Sequence, residues 1–319
     1  MKLSDAYIAR LVEVARAYYL EDQTQAEIAR SLGLSRSLIS RYLSTARELG
    51  IVQIRIAAPD QAFDALAFAL RGRYPELKAV IVAPTFSAEP DAQRAMVGRF
   101  AANYLAEIVQ PGMRLALGSG RTLRETVDAL SRHVTPNVTI VQAMGSIGHE
   151  AQQIDYNEIV RKAADAWGGQ AYYVSAPAIL GSGSAAEFVA ANPMLKSSLD
   201  LASSADVYMV GLGTLASDQL YARVGLIRED DLRQVYVHAV SNICARFYDI
   251  KGQEQPTPFA ERIVGIDLHH LRAASLSIGV AAGDDKVAPL LGAVRGGYLN
   301  AIISDERTLQ ALLRLDNQA

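Results

Sequence analysis

The chain has 319 residues, of which half are apolar and a fifth are charged, and its formal net charge is −3. This length suits a small domain joined to a larger one, and the composition is that of a folded globular protein. The small negative charge argues against a protein coated with nucleic acid, and the single cysteine, Cys244, excludes a disulfide framework or a cysteine metal cluster.

The N-terminus, MKLSDAYIAR, carries charges where a signal peptide has an apolar core. No apolar run approaches the roughly eighteen residues that a membrane-spanning helix requires. We therefore expect a cytoplasmic protein without membrane contact. No cofactor motif stands out, so no cofactor is expected.

The first predicted helix spans residues 4–20, with Ser4 as its N-cap. Its apolar residues recur at helical spacing; they are Ile8, Leu11, Val12, Ala15, Tyr18 and Tyr19. We interpret it as the helix that closes a small core.

The stretch from residue 24 to residue 47 has the spacing of a helix-turn-helix. Thr24 is placed to cap a helix with Glu27 as its capping-box partner. Gly33 ends that helix where a sharp turn requires a positive φ, and Ser35 caps a second helix that stops near Gly50. Ala29 is the small residue expected where the two helices cross. The residues expected to form the apolar core of this corner are Ile28, Leu32, Leu34, Ile39 and Tyr42.

The second helix presents hydroxyl and guanidinium groups, which contact phosphates and base edges when a helix lies in the major groove. The predicted DNA-contacting residues are Thr24, Gln25, Ser35, Arg36, Ser37, Ser40, Arg41 and Arg47. An ordinary helical hairpin is the alternative interpretation. Residues 1–56 carry one Lys and seven Arg against two Asp and four Glu, a balance of +2 that leaves −5 for the remainder. This small difference in charge favours a DNA-binding domain that depends more on its position in an oligomer than on its own positive charge.

The predicted domains are a helix-turn-helix domain at residues 1–56, a linker at 57–60 and an effector-binding and oligomerisation domain at 61–319. A short strand is expected at 51–57. Beyond residue 61, apolar runs alternate with helical patterns, which predicts a doubly wound, mostly parallel α/β sheet. The predicted strands lie at residues 78–84, 113–118, 138–144, 170–177, 206–213, 262–266, 276–283 and 298–304.

A glycine-rich loop follows the second of these strands and opens a helix. Its residues are Gly118, Ser119, Gly120, Arg121 and Thr122. Two glycines let backbone N–H groups approach an anion, and the helix N-terminus adds positive potential. The loop is neither a Walker A motif nor a dinucleotide fingerprint. It predicts a phosphate site, with a tight turn without ligand as the alternative.

Other loops are expected at the same edge of the sheet, where ligands of open α/β sheets bind. Gly145 and Ser146 follow one strand, Gly213 lies in the loop after another, and together with residues 118–122 they predict a small-ligand pocket. Lys286 follows a later strand and is a candidate for an anionic ligand, or else a solvated lysine. Asp249 is a candidate acceptor for sugar hydroxyls, or else a turn residue.

Catalytic signals are weak. No nucleophile elbow is present, and the scattered histidines lack metal-ligand spacing. His269 and His270 are adjacent and diverge on a helix, so we interpret them as part of a polar helix face. We therefore expect no enzyme and no metal site.

The chain resembles the SorC family of bacterial sugar-responsive transcriptional regulators over nearly its whole length. The resemblance rests on TQAEIARSLGLSRSLISRYLSTARELGIVQIRI, GSGRTL, APAI, VGLGT, ICARFYDIKG, IVGIDLHHLR and AAGDDKVAPLLGAVRGGYLNAIISDERT. It implies a helix-turn-helix fused to an effector domain similar to glucosamine-6-phosphate deaminases and ribose-5-phosphate isomerases, without their activity. It further implies operator DNA as a partner, a homotetramer built as a dimer of dimers, and a sugar, polyol or sugar phosphate as effector.

The resemblance places the family's phosphate loop on residues 118–122, its pocket aspartate on Asp249 and its pocket lysine on Lys286. Ser119 stands where an aromatic residue is common, and Asn242 stands where Asp is usual but remains an expected pocket residue. The lysine that forms a Schiff base in deoxyribose-phosphate sensors has no counterpart around residues 142–144. A covalent aldehyde sensor is therefore not expected, and whether the effector is phosphorylated stays open.

The leading hypothesis is a regulator of a carbohydrate or polyol catabolic operon. An effector that prefers one arrangement of the effector domains shifts the spacing of the DNA-reading heads. The alternative is a sugar-phosphate isomerase or deaminase that carries a helix-turn-helix, although no positioned general base is evident.

Overall fold

A computed structural model describes residues 5–21, 23–49, 51–52, 61–132, 135, 137–147 and 156–317. The chain divides into two compact units, Met1–Ala58 and Pro59–Ala319. The predicted linker at 57–60 and most of the predicted strand at 51–57 lie outside the described residues, so both stay predictions. Within the described ranges, no helix is long and apolar enough to cross a lipid bilayer.

The smaller unit contains three described helices, α1 (Asp5–Tyr19), α2 (Gln25–Leu32) and α3 (Arg36–Glu48). Its core lies where these helices meet, and its fully or nearly fully buried residues are Leu11, Val14, Ala15, Ile28, Ala29, Ile39, Leu43 and Ala46. Of the apolar residues that recur at helical spacing in α1, Leu11 and Ala15 are buried, whereas Ile8 and Val12 are 39% and 38% exposed. The buried stripe instead follows residues 11, 14 and 15, spaced by three and four positions, and Ile8 and Val12 flank it.

The turn between α2 and α3 has the predicted geometry. Thr24 and Glu27 form a reciprocal capping box at the start of α2. Gly33 adopts a left-handed conformation with φ +64°, which a residue with a side chain adopts only at a cost. The Ser35 hydroxyl accepts a hydrogen bond of 3.2 Å from the backbone N–H of Leu38 at the start of α3. The local signals of a helix-turn-helix are therefore confirmed.

The larger unit contains a parallel sheet, as predicted. Seven strands of the described residues lie in the order β1-β9-β8-β5-β2-β3-β4. They are β1 (Ala79–Ala83), β2 (Arg114–Leu117), β3 (Thr139–Gln142), β4 (Gln170–Tyr172), β5 (Val207–Val210), β8 (Leu276–Ala281) and β9 (Ala301–Asp305). All neighbouring pairs are parallel. The α/β fold class is confirmed.

Helices connect the strands and cover both faces of the sheet. They are α4 (Gln61–Arg73), α5 (Pro90–Ile108), α6 (Arg121–Asp128), α7 (Tyr156–Trp167), α8 (Ala185–Ala190), α9 (Pro193–Ser203), α10 (Leu215–Arg223), α11 (Glu229–Val235), α12 (Leu268–Ala273), α13 (Val287–Arg295) and α14 (Glu306–Asp316). Short 3₁₀ turns lie at Ala260–Arg262 and Asp284–Lys286.

Two local predictions differ from the structure. An antiparallel hairpin of β6 (Ser241–Ile243) and β7 (Arg246–Tyr248) was not predicted, because its strands are too short to show a period. The strand predicted at 262–266 is wrong. Ile263 and Gly265 form only isolated bridges, to Ile179 and Met144, so the segment is buried through Ile263, Val264 and Ile266 without a continuous ladder.

Alternate residues of the central strands enter opposite cores, as the period of a strand requires. In β5, Val207 and Met209 belong to the apolar cluster that includes residues of α5, α6 and α7, whereas Tyr208 and Val210 belong to the cluster that includes residues of α4, α11, α13 and α14. Both faces of the sheet are therefore covered. At the carboxyl edge of the strands, the loops that follow them form a cleft.

Candidate functional site

A cleft lies at the carboxyl edge of the sheet, where β2 and β5 are neighbours. The chain leaves β2 toward β3 on one side and leaves β5 toward β8 on the other. Such a reversal of strand order opens a crevice in which α/β proteins bind ligands. The cleft has a volume of about 120 Å³ and is formed by loops after β2, β5 and β8.

The loop after β2 provides the floor of the cleft. The Gly118 N–H donates to the Met209 carbonyl at 2.8 Å, which ties this loop to β5. Gly120 has φ +141° and precedes α6 without a side-chain cap. The first N–H groups of α6 have no partner within the helix and carry its positive end. Arg121, which is exposed, and Thr122, which is buried, both line the cleft.

Cationic side chains from different elements converge on this loop. Arg94 comes from the second turn of α5, Arg121 from the start of α6, and Lys286 from the turn after β8. Burial lowers the pKa of Arg94, and the nearby Arg121 lowers it further. Burial likewise lowers the pKa of Lys286, while Asp285 and Asp218 act in the opposite direction. Like charges held together at a helix N-terminus favour an anionic ligand.

Lys286 is fixed in the cleft and is not a solvated surface lysine. Its side chain is 15% exposed, and its Nζ donates to the Leu212 carbonyl at 2.9 Å. The Asp285 carboxylate lies 3.5 Å from the same Nζ. These contacts hold the ammonium group against the loop after β5.

The loop after β5 contains glycines because other groups approach it closely. A Cβ at Gly211 would lie 2.7 Å from the Ser119 carbonyl oxygen. A Cβ at Gly213 would collide with the Asn242 amide and lie 2.8 Å from Oδ1 of Asp218. The Gly213 N–H donates to the Asn242 carbonyl at 2.9 Å. Both glycines therefore allow loops from three strands to meet.

A buried polar network forms the back of the cleft. Asn242 and Asp218 are 3% and 4% exposed, and the Asn242 Nδ2 donates to Asp218 Oδ2. The Tyr236 hydroxyl donates to the same oxygen at 2.5 Å. Burial raises the pKa of Asp218 to about 6, although the hydrogen bonds from Tyr236 and Ser217 and the charge of Lys286 lower it in part. The Asn242 Oδ1 accepts from the Ala245 N–H at 3.1 Å.

Ser119 faces a buried aromatic residue. Tyr156, at the start of α7, is 3% exposed and lines the cleft. Burial raises the pKa of its hydroxyl, and hydrogen bonding to Ser119 partly offsets this effect. Ser119 stands where the family commonly has an aromatic residue. In this chain the ring of Tyr156, from α7, lies beside that position.

Three of the expected pocket residues do not line the cleft. The Asp249 carboxylate accepts from the N–H groups of Lys251 and Gln253 at 2.9 and 2.8 Å, so this residue stabilises the turn after β7. The Gly145 N–H donates to the Val264 carbonyl at 2.9 Å, within the packed interior. Ser146 lines an adjacent open groove instead. The neighbouring Gly148 lies outside the described residues.

Sequence reasoning missed Arg94, Asp218, Tyr156 and Tyr236. Two of them carried a usable signal. Arg94 lies in the second turn of the helix after β1, and Asp218 lies in the first turn of the helix after β5, so both were bound to reach the carboxyl edge of a parallel sheet. Tyr156 carried a weaker signal, because a longer segment separates it from the end of β3, and Tyr236 contacts Asp218 only through tertiary packing.

The predicted DNA-contacting residues are mostly exposed on α3. Arg36, Ser37, Ser40, Arg41 and Arg47 are exposed. The remaining members of the set act as helix caps or lie at a helix start: Thr24, Gln25 and Ser35. The Thr24 hydroxyl donates its proton to Glu27 Oε2 at 2.7 Å, so this proton already has an acceptor within the protein.

Asp267, His269 and His270 bring potential metal-ligating atoms within 4.8 Å of one another. Arg246 lies 2.6 Å from the Asp267 carboxylate, and the His270 Nδ1 accepts from the Asp267 N–H at 3.0 Å. The guanidinium charge and the occupied ring nitrogen both oppose binding of a cation at this cluster.

Comparison with known proteins gives a consistent result over the whole chain. Residues 61–314 match the Sugar-bind family model, which describes a sugar-binding domain. The chain is 31% identical over 304 residues to the deoxyribonucleoside regulator of Bacillus subtilis, covering 95% of this chain and 96% of that protein. It is also 31% identical over 312 residues to the sorbitol operon regulator of Klebsiella pneumoniae, covering 96% of this chain and 98% of that protein.

The crystal structure of the full-length sorbitol operon regulator SorC from Klebsiella pneumoniae is similar to this chain. The TM-score is 0.76 at 30% sequence identity, and the superposition covers 98% of this chain and 100% of that chain. Both units of the present chain therefore have counterparts in one solved protein.

Proposed function

The chain belongs to the SorC family of sugar-binding transcriptional regulators, and we propose that it controls a carbohydrate or polyol operon in response to an anionic sugar derivative. The smaller unit binds operator DNA. The cleft of the larger unit binds the effector. Binding to one arrangement of the protein in preference to another then shifts operator affinity by linkage.

The observation that carries the proposal is the convergence of Arg94, Arg121 and Lys286 on the glycine loop at the start of α6. A phosphate in this position would receive backbone N–H groups, a helix dipole and charged donors together. This arrangement supports a phosphorylated sugar or polyol more than a free sugar. The proposed effector contacts are Arg94, Gly118, Ser119, Gly120, Arg121, Thr122, Gly213, Asn242 and Lys286.

The relatives suggest which ligands to try first. One is named a deoxyribonucleoside regulator and another a sorbitol operon regulator, so deoxyribose 5-phosphate and sorbitol 6-phosphate are suitable first probes. The cleft has no lysine after β3, where the residues are Ala143 and Met144, which supports reversible rather than covalent binding.

On the DNA side, we propose that α3 enters the major groove through Arg36, Ser37, Ser40 and Arg41, with Arg47 on the backbone. The charge balance of +2 over residues 1–56 supports weak binding by a single head. We therefore propose a homotetramer, a dimer of dimers, that pairs the heads on DNA in the cytoplasm.

We further propose that the cleft binds without catalysing a reaction. The relatives are named as regulators, and the Asp218 carboxylate, the strongest candidate for a general base, is held by donors from Tyr236 and Asn242. Incubation of the purified protein with sugar phosphates, followed by analysis of products, tests this point. Turnover would favour the isomerase or deaminase alternative.

The test of the main proposal compares Arg121→Ala and Lys286→Ala with the wild type in an operator gel-shift titrated with sorbitol 6-phosphate and deoxyribose 5-phosphate. Each variant is expected to abolish or strongly reduce the ligand-induced change in operator affinity. Lys196→Ala and Arg161→Ala serve as matched controls, because both side chains are exposed and, among the described residues, each forms an ion pair with a neighbour on its own helix. Normal ligand responses in both cleft variants would refute the proposed site.

A further inference from the structure

The back of the cleft contains a carboxylate that is buried and only partly satisfied. Asp218 is 4% exposed and lines the cleft. Its Oδ2 accepts from the Tyr236 hydroxyl at 2.5 Å and from the Asn242 amide. Both groups donate to Oδ2 and fix the plane of the carboxylate, and neither contacts the other oxygen, Oδ1.

Oδ1 of Asp218 has one weak donor among the described residues. The Ser217 hydroxyl lies 3.1 Å away, but the Thr214 carbonyl lies 2.9 Å from the same hydroxyl and competes for its single proton. An ionised carboxylate accepts about four hydrogen bonds, two at each oxygen. Oδ1 therefore retains acceptor capacity, and a buried acceptor without a partner is costly.

Lys286 lines the same cleft, and its positive charge is close enough to Asp218 to lower the pKa of that carboxyl. Two of its three protons are directed at the Leu212 carbonyl and the Asp285 carboxylate, at 2.9 and 3.5 Å. The remaining proton has no partner among the residues that the structure describes. A hydroxyl group can donate to a carboxylate and accept from an ammonium group at once, whereas a fully ionised phosphate has no proton to donate and an apolar group can do neither.

We propose that Asp218 accepts a hydrogen bond from a hydroxyl of the effector and so makes the cleft select a polyhydroxylated phosphate over a simple anion. This inference rests on the proposed function, which assigns the anionic group to the loop before α6. The cationic loop binds the phosphate, whereas Asp218 reads the hydroxylated part of the molecule.

A ligand series on the full-length wild-type protein tests the inference by calorimetric titration at pH 7.5. The probes are sorbitol 6-phosphate, ribose 5-phosphate, n-hexyl phosphate and inorganic phosphate. At least one of the two hydroxylated probes should bind roughly 10- to 100-fold more tightly than hexyl phosphate, which is the range for a hydrogen bond to a charged group. Hexyl phosphate should gain no comparable advantage over inorganic phosphate.

The variant Asp218→Asn then assigns the effect to this residue. Its amide is nearly isosteric, but it replaces the acceptor-only carboxylate with a group that carries donors. The tightest hydroxylated probe should lose at least tenfold in affinity, while inorganic phosphate should bind as well as before or better, since a negative charge beside Lys286 is removed. Asp200→Asn is the matched control, because Asp200 is exposed and contacts Lys196 on the same helix.

The outcomes separate the two proposals. If no phosphate probe binds the wild type, the proposed anion cleft fails. If phosphates bind but hydroxylated probes gain nothing over hexyl phosphate, the anion cleft stands and the role of Asp218 is refuted. If Asp218→Asn weakens all probes equally, Asp218 supports the fold of the cleft and does not read the ligand, which also refutes the inference.

Discussion

The helix-turn-helix and the cleft are built from contacts of different range. In the smaller unit, caps and turn involve residues three or four positions apart, such as Thr24 with Glu27 and Ser35 with Leu38. In the larger unit, Arg94, Asp218 and Lys286 come from distant parts of the chain and meet only because parallel strands end at one edge. The helix-turn-helix is therefore stabilised by contacts between near neighbours in the sequence, whereas the cleft depends on the sheet that brings its residues together.

The largest expected effect is on stability and concerns Ile39, which is fully buried in the smaller unit. Ile39→Ala should cost about 2–5 kcal/mol of the free energy of unfolding. The small core cannot compensate for this loss, so a calorimetric scan should show the smaller unit melting separately and early. Ile302→Ala, at a fully buried site in β9, is the matched control and should shift only the transition of the larger unit. A single unchanged transition for Ile39→Ala would contradict the expected division.

The next effect is the pH dependence that Asp218 confers on the larger unit. Its pKa in the folded chain is about 6, above the ordinary value of 3.8, so between these values the folded chain binds more protons than the unfolded chain. Stability from this group is complete below about pH 4 and is lost as pH rises through about 6.

Denaturant titrations at pH 4 and pH 7 of the wild type and Asp218→Asn measure this contribution. The stability of the wild type relative to the variant should fall by about 2 kcal/mol across this range, since each pKa unit corresponds to about 1.4 kcal/mol and the unfolded carboxyl is already partly ionised at pH 4. Asp200→Asn, at an exposed position, should show no such trend. A constant difference between wild type and Asp218→Asn would show that the buried carboxylate titrates normally.

A smaller effect is expected on operator affinity from the exposed face of α3. Arg36→Ala or Arg41→Ala should weaken operator binding by about 1–3 kcal/mol, because each loses a guanidinium contact to DNA. The measurement is a gel shift on fragments that the wild-type protein selects from a random-sequence pool. Arg30→Ala is the control, since Arg30 is exposed on α2 and not on the predicted reading helix. Unchanged affinity in both α3 variants would refute the assignment of this face.

The smallest effect contrasts two glycines that serve different purposes. Gly33 has φ +64°, and a Cβ at this position would have no described atom within 4 Å. Gly33→Ala should therefore lower the free energy of unfolding by only about 1 kcal/mol, the cost of a left-handed backbone for alanine. Gly213 has no such backbone requirement, but its Cβ would collide with Asn242. Gly213→Ala should therefore alter effector binding more than it alters stability.

Thermal melts and ligand titrations of both glycine variants distinguish the two purposes. If Gly33→Ala lost effector affinity and Gly213→Ala kept it, these roles would be contradicted: a backbone requirement at Gly33 and close tertiary contact at Gly213.

Much of the fold followed from local patterns, and less of the site did. Capping residues and Gly33 marked the helix-turn-helix, and apolar runs alternating with helices marked the parallel sheet. The glycine loop at 118–122 and Lys286 lie together as expected. Asp249 does not join them, since a lone Asp before a glycine has the same local signature in a turn as in a pocket.

Local sequence accounts for most of the helices and strands, because caps, turns and hydrophobic periods act between neighbours, although the β6–β7 hairpin was missed and the strand predicted at 262–266 does not form. Tertiary structure alone shows that Arg94, Asp218 and Tyr156 line one cleft, because the fold, and not sequence distance, brings the ends of β1, β3 and β5 to one edge. Burial also had to be known before Asp218 could be distinguished from an ordinary surface carboxylate. Its raised pKa and its partly satisfied oxygen arise from the surrounding protein, which local sequence does not encode.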